Sequence, residues 1–374
     1  MHVSRKEVFH MKISHLNEKR RDEWNSFVEK EPYFSLMQSW EWGEFKEKLG
    51  WKVVRVVIEN ERGILAGAQL FIKQIPSKLT SIVYIPRGPI GHWLDERIKV
   101  IFLTELHRIA KTYRASFLKI EPALKDDPMI VNELKKAGFH SSSCCNQPRA
   151  TIIINIDKDP DAILSAMRKK TRQYIRKAMR NEIEIRVGEP NDLPSLYKIM
   201  KHTGYREGFI PRSRVYYNEE WQTMFKNHRG ILLLAYHRDQ LLAIRTVCYF
   251  GKHAAEFHAG SIERFNNQYP NYLLVWEAIQ WAKAHGCETY DMWGIPDKVG
   301  QIVSAGQEPP TSYPTDGLWG VYRFKSGFSK DIVPYVGAYD YIYNSLPYYL
   351  FTKLTSTTNA LDRVASWLDQ VRGV

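Results

Sequence analysis

The sequence predicts an α/β (α+β) protein made of two tandem units, each with a mixed β-sheet. In both halves, a group of strand-like runs that can pair with one another is followed by an alternation of helix and strand, an order typical of mixed sheets. The halves also resemble each other, since Gly63-Ile-Leu-Ala-Gly-Ala-Gln-Leu-Phe71 is similar to Gln240-Leu-Leu-Ala-Ile-Arg-Thr-Val-Cys248. A long helix and a short strand ending near a proline follow each run, at Pro122 and Pro296. These observations predict an internal duplication.

Hydrophobic periodicity assigns the elements of the first half in order. Helices are predicted over residues 21–29, 40–49 and 95–113, with a further helix ending at Gly138. Strands are predicted over residues 52–58, 64–72, 81–85 and 116–122. The turn signal Glu31-Pro32 separates the first two helices. The first half therefore reads as one complete α/β unit.

The second half is predicted to repeat this plan. Its strands are predicted over residues 149–156, 182–187, 231–236, 240–250, 254–259 and 288–293. Its helices are predicted over residues 161–179, 192–203, 219–227, 271–285 and, more briefly, 320–327. A polar, aromatic loop is expected between 203 and 219, and 300–314 is expected to be the longest irregular stretch. The predicted domains are 11–148 and 149–345, followed by a helical tail over 346–374, with no coiled-coil insertion.

Composition restricts the class of partner. Lys and Arg outnumber Asp and Glu by 53 to 41, which gives the 374-residue chain a formal net charge of +12 and a pI near 9.3. That balance favours nucleic acid, nucleotide phosphates or an anionic membrane face. The 4 cysteines have no CxxC or Cys/His zinc spacing, so no metal site and a reducing, cytoplasmic location are predicted. No apolar run can span a bilayer, so any membrane contact is expected to be peripheral, at the inner face.

The segment 317–330 interleaves aromatic residues, cations and glycines. Its short predicted helix carries Phe324 and Lys325 and has Val321, Phe324 and Phe328 on one face. Aromatic faces beside cations can stack a base or sugar while the cations hold a phosphate or a developing oxyanion. The alternative is a core helix whose lysines face water.

A second candidate is the basic run from Arg168 to Arg180, which holds seven cations and no acid. On a helix, Arg168, Arg172 and Arg176 lie one turn apart and Lys169 lies beside them. Such a stripe suits a phosphate backbone. A solvated face is the alternative, although solvated faces usually mix charges of both signs.

The segment 203–217 sets Arg206, Arg212 and Arg214 among tyrosines that include Tyr216. Several guanidinium groups in so short a stretch can bind a pyrophosphate bidentately. The alternative is a surface loop whose tyrosines cover the core.

Two carboxylates are predicted near strand ends, Glu121 in the first half and Asp291 in the second. A carboxylate at the carboxyl end of a strand often faces a cleft, where it can accept a proton or orient an amine. Either residue can equally be a structural or capping group. The chain has no GxxxxGK[ST], GxGxxG or GxSxG motif and no acetyl-CoA-binding loop before its long helices.

Seven short motifs, taken together and in order, resemble the Fem family of non-ribosomal peptidyltransferases that build the interpeptide bridges of peptidoglycan. The resemblance runs from about Met11 to Tyr343. The motifs are Gln38-Ser-x-Glu-Trp-Gly43 followed by Lys46, Ile120-Glu-Pro122, Lys170-Thr-Arg172 with Arg176-Lys-Ala178, Phe209-x-x-Arg-x-x-x-Tyr-Tyr217, Tyr269-x-x-Tyr-Leu-Leu-x-Trp-Glu-Ala-Ile279, Tyr290-Asp-Met-Trp-Gly294 and Gly320-x-x-x-Phe-Lys-x-Gly-Phe328.

The resemblance implies two tandem domains similar to GCN5-related N-acetyltransferases (GNAT), neither of which uses acetyl-CoA. It implies that the protein transfers an amino acid from aminoacyl-tRNA, as co-substrate without any further cofactor, to an amine on the stem peptide of a UDP-linked or lipid-linked muropeptide. By matching positions, Lys46, Arg212 and Tyr216 would hold the pyrophosphate of that acceptor. Lys325, with Phe324, would lie where the tRNA acceptor end meets the tetrahedral intermediate. Glu121 stands where the family more usually has aspartate.

The residues suit this reaction, because an aminoacyl ester is already activated and its aminolysis needs positioning and oxyanion stabilisation more than a strong base. Three alternatives stay open. The first is a small-molecule N-acyltransferase that uses acyl-CoA. The second is a non-catalytic protein that binds RNA or a membrane surface, and stable DNA binding is not expected. The third is an amide-forming enzyme that modifies another cell-surface polymer precursor.

Overall fold

The computed structural model describes residues 11–74, 80–207, 211–226, 228–262, 267–310, 312, 314 and 318–354. By contacts between residues, the chain divides into two compact units. Unit 1 contains the residues up to Gln147 together with those from Tyr335 onward, and unit 2 contains Pro148–Pro334.

The first part of unit 1 follows the predicted order of elements. Its helices are α1 (Arg21–Val28), α2 (Trp40–Lys48), α3 (Glu96–Thr112) and α4 (Pro128–Lys136). Its strands are β1 (Lys12–His15), β2 (Lys52–Asn60), β3 (Gly63–Gln74), β4 (Ser81–Pro86), β5 (Ile90–Gly91), β6 (Ala115–Glu121) and β7 (His140–Ser141). Helix α3 illustrates why the sequence predicted these elements. The side chain of Asp95 caps the helix by accepting a hydrogen bond from Arg97 N, and the helical spacing of the apolar residues buries Phe102 and Leu106 in the core.

Unit 2 repeats the alternation of strands and helices. Its strands are β8 (Ala150–Asn155), β9 (Glu184–Val187), β10 (Gly230–His237), β11 (Gln240–Phe250), β12 (His253–Ser261), β13 (Thr289–Gly294) and β14 (Asp331–Pro334). Its helices are α5 (Pro160–Ala166), α6 (Lys169–Arg180), α7 (Leu193–Glu207), α8 (Arg214–Lys226), α9 (Pro270–Ala284), α10 (Asp297–Ser304) and α11 (Leu318–Lys325).

The chain then returns to unit 1 with β15 (Tyr339–Ile342) and α12 (Ser345–Leu354). The sheet of unit 1 has the order β1-β2-β3-β4-β6-β15-β7, and β5 pairs with β3. The sheet of unit 2 has the order β14-β8-β13-β12-β11-β10-β9. Both sheets are mixed, as predicted.

The two units share one strand plan. In unit 1, β2, β3 and β4 are antiparallel, and after α3 the chain enters β6, which is parallel to β4. In unit 2, β10, β11 and β12 are antiparallel, and after α9 the chain enters β13, which is parallel to β12. The similar sequences 63–71 and 240–248 lie in the equivalent strands β3 and β11. The duplicated plan explains why the halves resemble each other in sequence.

The domain boundary differs from the predicted one at its second end. The predicted second domain runs to residue 345, whereas unit 2 ends at Pro334. The physical reason is strand pairing, because β15 lies between β6 and β7 in the sheet of unit 1. Of the predicted tail 346–374, residues up to 354 form most of α12, and the rest lies outside the described residues.

Three local predictions are wrong. The predicted helix over 161–179 is divided into α5 and α6, because Met167 and Arg168 are extended. The predicted loop before residue 219 is helical from Arg214, because Ser213 Oγ accepts a hydrogen bond from Tyr216 N at 3.1 Å and caps α8. The stretch 300–314 is helical up to Ser304 in α10. Phe209 and Gly317, which belong to predicted motifs, lie outside the described residues.

Candidate active site

The parallel strands β12 and β13 of unit 2 separate near their carboxyl ends. They pair from His253 with Thr289 to Ala255 with Asp291, although β12 continues to Ser261. In unit 1, the equivalent strands β4 and β6 stay paired to their ends, where Pro86 lies opposite Glu121. Ligands of open α/β sheets bind beyond the carboxyl ends of the strands. The separation in unit 2 therefore marks its candidate active site.

Lys325, the last residue of α11, lies beside this separation. Its Nζ donates a hydrogen bond to the carbonyl of Gly294, at the end of β13, at 2.9 Å. The residue is only 8% exposed. Burial lowers the pKa of the Lys325 ammonium from 10.5 to about 8, while Glu256 opposes that effect and Arg245 adds to it. Strongly shifted pKa values of buried groups are common at catalytic sites.

Buried charges of both signs surround Lys325. Glu256, the first residue of β12 beyond the last paired position, forms an ion pair with Arg245 of β11. Its carboxylate also accepts a hydrogen bond from the hydroxyl of Tyr290 at 3.0 Å. Sequence reasoning missed Arg245 and Glu256, because their only signal is a charge within an apolar strand.

The predicted motif 290–294 forms an irregular end of β13, where the pairing register with β8 shifts between Asp291 and Gly294, and this end holds Lys325. The carboxylate of Asp291 accepts hydrogen bonds from the hydroxyl of Thr151 and, at 2.7 Å, from the backbone N–H of Trp293. Trp293 has a left-handed backbone, with φ at 64°. This conformation is uncommon for a bulky residue, and the buried carboxylate holds it in place. Asp291 is thus a structural group of this irregular strand end, whose last carbonyl accepts the hydrogen bond from Lys325.

The basic helix α6 begins next to α11. The backbone N–H of Arg168 donates to the carbonyl of Gly327 at 2.9 Å. A Cβ on Gly327 would lie 2.4 Å from Oγ1 of Thr171, so only glycine allows α6 to approach so closely. Two stretches that the sequence singled out separately, the basic run and the 317–330 segment, therefore meet near Lys325. Phe324 is half-buried at this junction, with its ring centroid 4.9 Å from that of Tyr272.

The cations of α6 do not share one environment. Arg168, Lys169 and Arg176 are exposed, as a phosphate-binding surface requires. Arg172 is half-buried, and its Nη1 donates to the carbonyls of Ser165 at 2.8 Å and Met167 at 2.6 Å. Arg172 thus caps the carboxyl end of α5, a structural contact that its place in the charge run did not reveal.

The arginine and tyrosine segment lies at the other side of the separated strands. Nη1 of Arg206 donates to the carbonyl of Ser261, the last residue of β12, at 3.1 Å. The guanidinium carbon of Arg212 lies 5.2 Å from the ring centroid of Tyr216. Burial, and then the nearby Glu220 carboxylate, raise the pKa of Tyr216, so it stays a neutral phenol.

Glu220, a residue that the sequence analysis did not single out, holds this segment through its side chain. Its buried carboxylate forms a hydrogen bond with the hydroxyl of Tyr216. His258 Nε2 lies 2.7 Å from the same carboxylate. His258 is therefore a structural residue, and its partner is an acid on α8, 38 positions away in the sequence.

Lys46 belongs to α2 in unit 1. It is 8% exposed, and its Nζ lies 5.5 Å from the ring centroid of Trp42 and 5.1 Å from that of Phe45. The aromatic motif that precedes it in the sequence therefore lines the environment of its ammonium. Such rings favour a cation electrostatically.

Glu121, at the end of β6 in unit 1, is fully engaged within the protein. Its carboxylate accepts hydrogen bonds from the hydroxyl of Tyr84 and from the backbone N–H groups of Asn146 at 2.6 Å and Gln147 at 3.3 Å. Burial raises the pKa of the carboxyl group. These contacts are those of a structural residue that holds the chain segment 146–147, the second of the two roles that its position suggested.

Two features are absent from the residues that the structure describes. Within them, no three His, Cys, Asp or Glu side chains are grouped so that they could hold a metal ion. None of the helices that the structure describes combines the length and the apolar character needed to cross a membrane.

Comparison with known proteins places the chain in a family. The model of the FemAB family matches residues 19–243 and 232–356. The chain belongs to the FemAB family. Among its relatives in that family is a lipid II:glycine glycyltransferase from Staphylococcus haemolyticus (strain JCSC1435), 22% identical over 408 residues that cover 89% of this chain and 94% of that protein.

Solved structures confirm the fold of this FemAB family protein. The crystal structure of FemX matches with a TM-score of 0.77 at 20% identity and covers 92% of this chain and 100% of FemX. A tandem GNAT protein from the clavulanic acid biosynthesis pathway matches with a TM-score of 0.51 at 10% identity, covering 88% and 98% of the two chains. The predicted resemblance to the Fem family and the two tandem GNAT-like units are thus both confirmed.

Proposed function

We propose that this FemAB family protein is a peptide-bond-forming aminoacyltransferase. It moves an amino acid from aminoacyl-tRNA to an amine on the stem peptide of a peptidoglycan precursor. The observation that carries this proposal is the position of Lys325, which lies between the separated strands β12 and β13 and the start of the basic helix α6. A cation for the reacting carbonyl and a surface for a polyanionic donor then lie side by side.

The acceptor is proposed to be a lipid-linked muropeptide. This choice is supported by the relatives, which are named for their action on lipid II. Arg212 and Arg206 would bind the acceptor's pyrophosphate, because guanidinium groups bind phosphate oxygens in a bidentate manner. Tyr216, held by Glu220, would offer its ring and hydroxyl beside them. The role of Lys46 as a phosphate ligand stays a prediction of the family resemblance.

The chemical step follows from the ester bond of the donor. The acceptor amine attacks the ester carbonyl and forms a tetrahedral intermediate with a negative oxygen. When the intermediate collapses, the new C–N bond is kept and the bond from the carbonyl carbon to the ribose 3′ oxygen breaks. The amine loses one proton and the ribose oxygen gains one. Lys325 is proposed to donate a hydrogen bond to the negative oxygen, since preorganised donors at this position contribute strongly to catalysis.

Donor binding is assigned to the exposed cations of α6. Arg168, Lys169 and Arg176 would contact tRNA phosphates, while Arg172 would contribute mainly by holding α5 and α6 together. Phe324 would support the acceptor end of the tRNA beside Lys325. The ester is already activated, so the proposed reaction needs no further cofactor. With tRNA as donor, the enzyme would act in the cytoplasm, at the inner face of the membrane when its acceptor is lipid-linked. We assign Glu121 no step in the reaction.

A transfer assay tests the proposal. Purified protein is mixed with a pool of radiolabelled aminoacyl-tRNAs and, in parallel, with a lipid-linked muropeptide or a UDP-linked muropeptide. Label is expected in the lipid-linked acceptor, and the Lys325→Met protein serves as the inactive control. Label only in the UDP-linked acceptor would correct the acceptor, and label in neither would overturn the function. A parallel titration with acyl-CoA tests the rival donor, for which no binding is expected.

A further inference from the structure

Three tyrosines form a continuous group of rings at the surface of unit 2. Tyr174 projects from the basic helix α6, and Tyr269 and Tyr272 lie at the start of α9. The rings of Tyr174 and Tyr269 are stacked, with centroids 4.1 Å apart and an interplanar angle of 11°. Tyr272 meets the ring of Tyr174 edge-on at 4.9 Å. We call Tyr174, Tyr269 and Tyr272 the tyrosine platform.

Cations border the platform. Nζ of Lys170 lies 5.6 Å from the ring centroid of Tyr174, and Nζ of Lys177 lies 5.0 Å from that of Tyr269. Both lysines are exposed, so their ammonium groups can leave the rings for a phosphate without losing a buried contact. Flat aromatic faces beside mobile cations are the combination that binds unpaired nucleotides, because bases stack and phosphates pair with the cations.

The hydroxyl groups of the platform argue against a purely structural role. All three tyrosines are half-buried, yet within the described residues no hydrogen bond from the protein reaches their hydroxyls. A packing role would be served as well by phenylalanine, which occupies the neighbouring positions 324 and 328. Tyr269 also has a left-handed backbone, with φ at 63° and ψ at 35°. Such a conformation costs free energy for a bulky residue and is concentrated at functional sites.

The platform leads towards Lys325. The ring of Tyr272 lies 4.9 Å from that of Phe324 and 5.8 Å from that of Phe328. Phe324 directly precedes Lys325 in α11. A strand of unpaired nucleotides lying on the platform would thus point its end at the ammonium that we assign to the reacting carbonyl.

We propose that the tyrosine platform binds the unpaired nucleotides of a single-stranded RNA 3′ end by stacking, with Lys170 and Lys177 on the phosphates. This inference rests on the proposed function, in which an aminoacyl-tRNA is the donor. The new element is that the platform holds the 3′ end of the donor by stacking on its bases, without hydrogen bonds that distinguish one base from another. Any unpaired sequence of the same length should therefore bind similarly.

Binding of uncharged RNA tests the platform. The probe is a fluorescently labelled RNA hairpin with a short single-stranded 3′ overhang, and the comparison is the same hairpin with a blunt end. The full chain should bind the overhang hairpin more tightly by at least about tenfold. Tyr174→Leu keeps an apolar side chain but removes the flat ring, so it should remove about that tenfold advantage and leave binding of the blunt hairpin unchanged.

Two further variants control for packing. Tyr174→Phe keeps the stack and should bind the overhang hairpin as the wild type does. Tyr249→Leu removes a ring that packs 5.7 Å from Trp281 elsewhere in unit 2, and it should not change the preference for the overhang. A platform role is overturned if the wild type binds both hairpins equally, or if Tyr174→Leu keeps the overhang preference.

The outcome is independent of the transfer assay. The hairpins carry no amino acid and no acceptor is present, so a failed transfer reaction leaves the binding result intact. If transfer occurs but the overhang gives no advantage, the proposed function stands and the platform does not. If the overhang preference depends on Tyr174 but no transfer is found, the platform stands as an RNA-binding site and the enzymatic proposal fails.

Discussion

Lys325 is the residue on which the proposed chemistry depends most directly. Its ammonium is buried, held by one carbonyl at 2.9 Å, and aimed at the end of β13. Lys325→Met should lower kcat by about 10²- to 10³-fold, the usual effect of losing one oxyanion donor, with little change in KM for the acceptor. Steady-state kinetics measure this split. Lys330→Met, at an exposed lysine of the same segment, is the matched control and should be near wild type.

The pKa of Lys325 also links activity to pH. With the pKa lowered from 10.5 to about 8, the fraction of protonated Lys325 falls as pH rises through about 8. Because the charged ammonium is a much stronger donor to an oxyanion than the neutral amine, kcat should fall across the same window. A kcat that stays level from pH 7 to pH 9 would exclude this role for the ammonium.

The same lowered pKa means that Lys325 reduces the free energy of unfolding at neutral pH, although its charge supports the proposed reaction. Unfolded Lys325 has its ordinary pKa, so between about 8 and 10.5 the unfolded state binds more protons than the folded state, and wild-type stability rises with pH there. Below pH 8 the burial cost is fully present, on the order of 3 kcal/mol at about 1.4 kcal/mol per pKa unit. Lys325→Met should therefore melt at a higher temperature than wild type at pH 7. That gap should narrow between pH 8 and 10.5, and an inactive variant that is also less stable at pH 7 would contradict the argument.

Arg212 and Arg214 form a natural pair for testing the acceptor site. Arg212 lies against the ring of Tyr216, whereas Arg214 is exposed at the start of α8. Arg212→Ala should raise KM for the muropeptide about ten- to hundredfold with kcat nearly unchanged, since a hydrogen bond to a charged group is worth about 1.5–3 kcal/mol. Arg214→Ala should change KM little. Equal effects of the two substitutions would show that general charge, and no particular contact, attracts the acceptor.

At the scale of elements, the basic helix α6 combines exposed cations with one arginine that makes a structural contact, and the sequence did not distinguish the two. Its positive charge could be predicted, because seven cations without an acid are visible in the sequence. Its boundary could not, because the break at Met167 and Arg168 depends on a backbone hydrogen bond to Gly327, more than 150 positions away. Local periodicity carries no information about such a contact. The same limit hid Glu220, whose partner His258 lies on another element.

The proposed tRNA contacts of α6 and its structural contact should give separable effects. Arg176→Ala and Lys169→Ala should each weaken tRNA binding and reduce the slope of log K against log salt by about 0.7–0.9, the amount expected for one phosphate contact. Arg172→Ala should leave that slope nearly unchanged and lower the melting temperature, because it removes the cap on the carbonyls of Ser165 and Met167. Binding titrations over a salt series and thermal unfolding distinguish these outcomes. A slope that also falls for Arg172→Ala would mean that its guanidinium reaches the RNA.

At the scale of the whole molecule, the duplicated plan could be predicted because equivalent strands of the two units have similar sequences, as in 63–71 and 240–248. The return of the chain to unit 1 could not be predicted from the sequence. Strand β15 is short, Tyr-Asp-Tyr-Ile, and only its pairing with β6 and β7 reveals where it belongs. Likewise, the separation of β12 from β13, which sets unit 2 apart from unit 1, follows from strand registers that no single segment contains.

That connectivity predicts how the chain responds to truncation. Strand β15 fills the gap between β6 and β7, and its Asp340 forms an ion pair at 2.8 Å with Lys119, both side chains being almost fully buried. A chain that ends at Pro334 would leave Lys119 as a buried cation without its partner, and losing one member of a buried pair costs about 3–5 kcal/mol. The loss of the pairing of β6 with β15 adds to this. Hydrogen exchange should therefore show β6 unprotected, while β11 in unit 2 keeps its protection.

The matched variant is Asp340→Asn in the full chain, which keeps β15 and removes only the charge. It should destabilise unit 1 less than the truncation does and leave unit 2 unaffected. Since α6, α11 and the tyrosine platform all belong to unit 2, the truncated chain should still prefer the overhang hairpin, although it has lost the fold of unit 1. Undiminished protection of β6 in the truncated chain would instead mean that unit 1 is complete without residues 335–354, and that the pairing of β15 is peripheral to its stability.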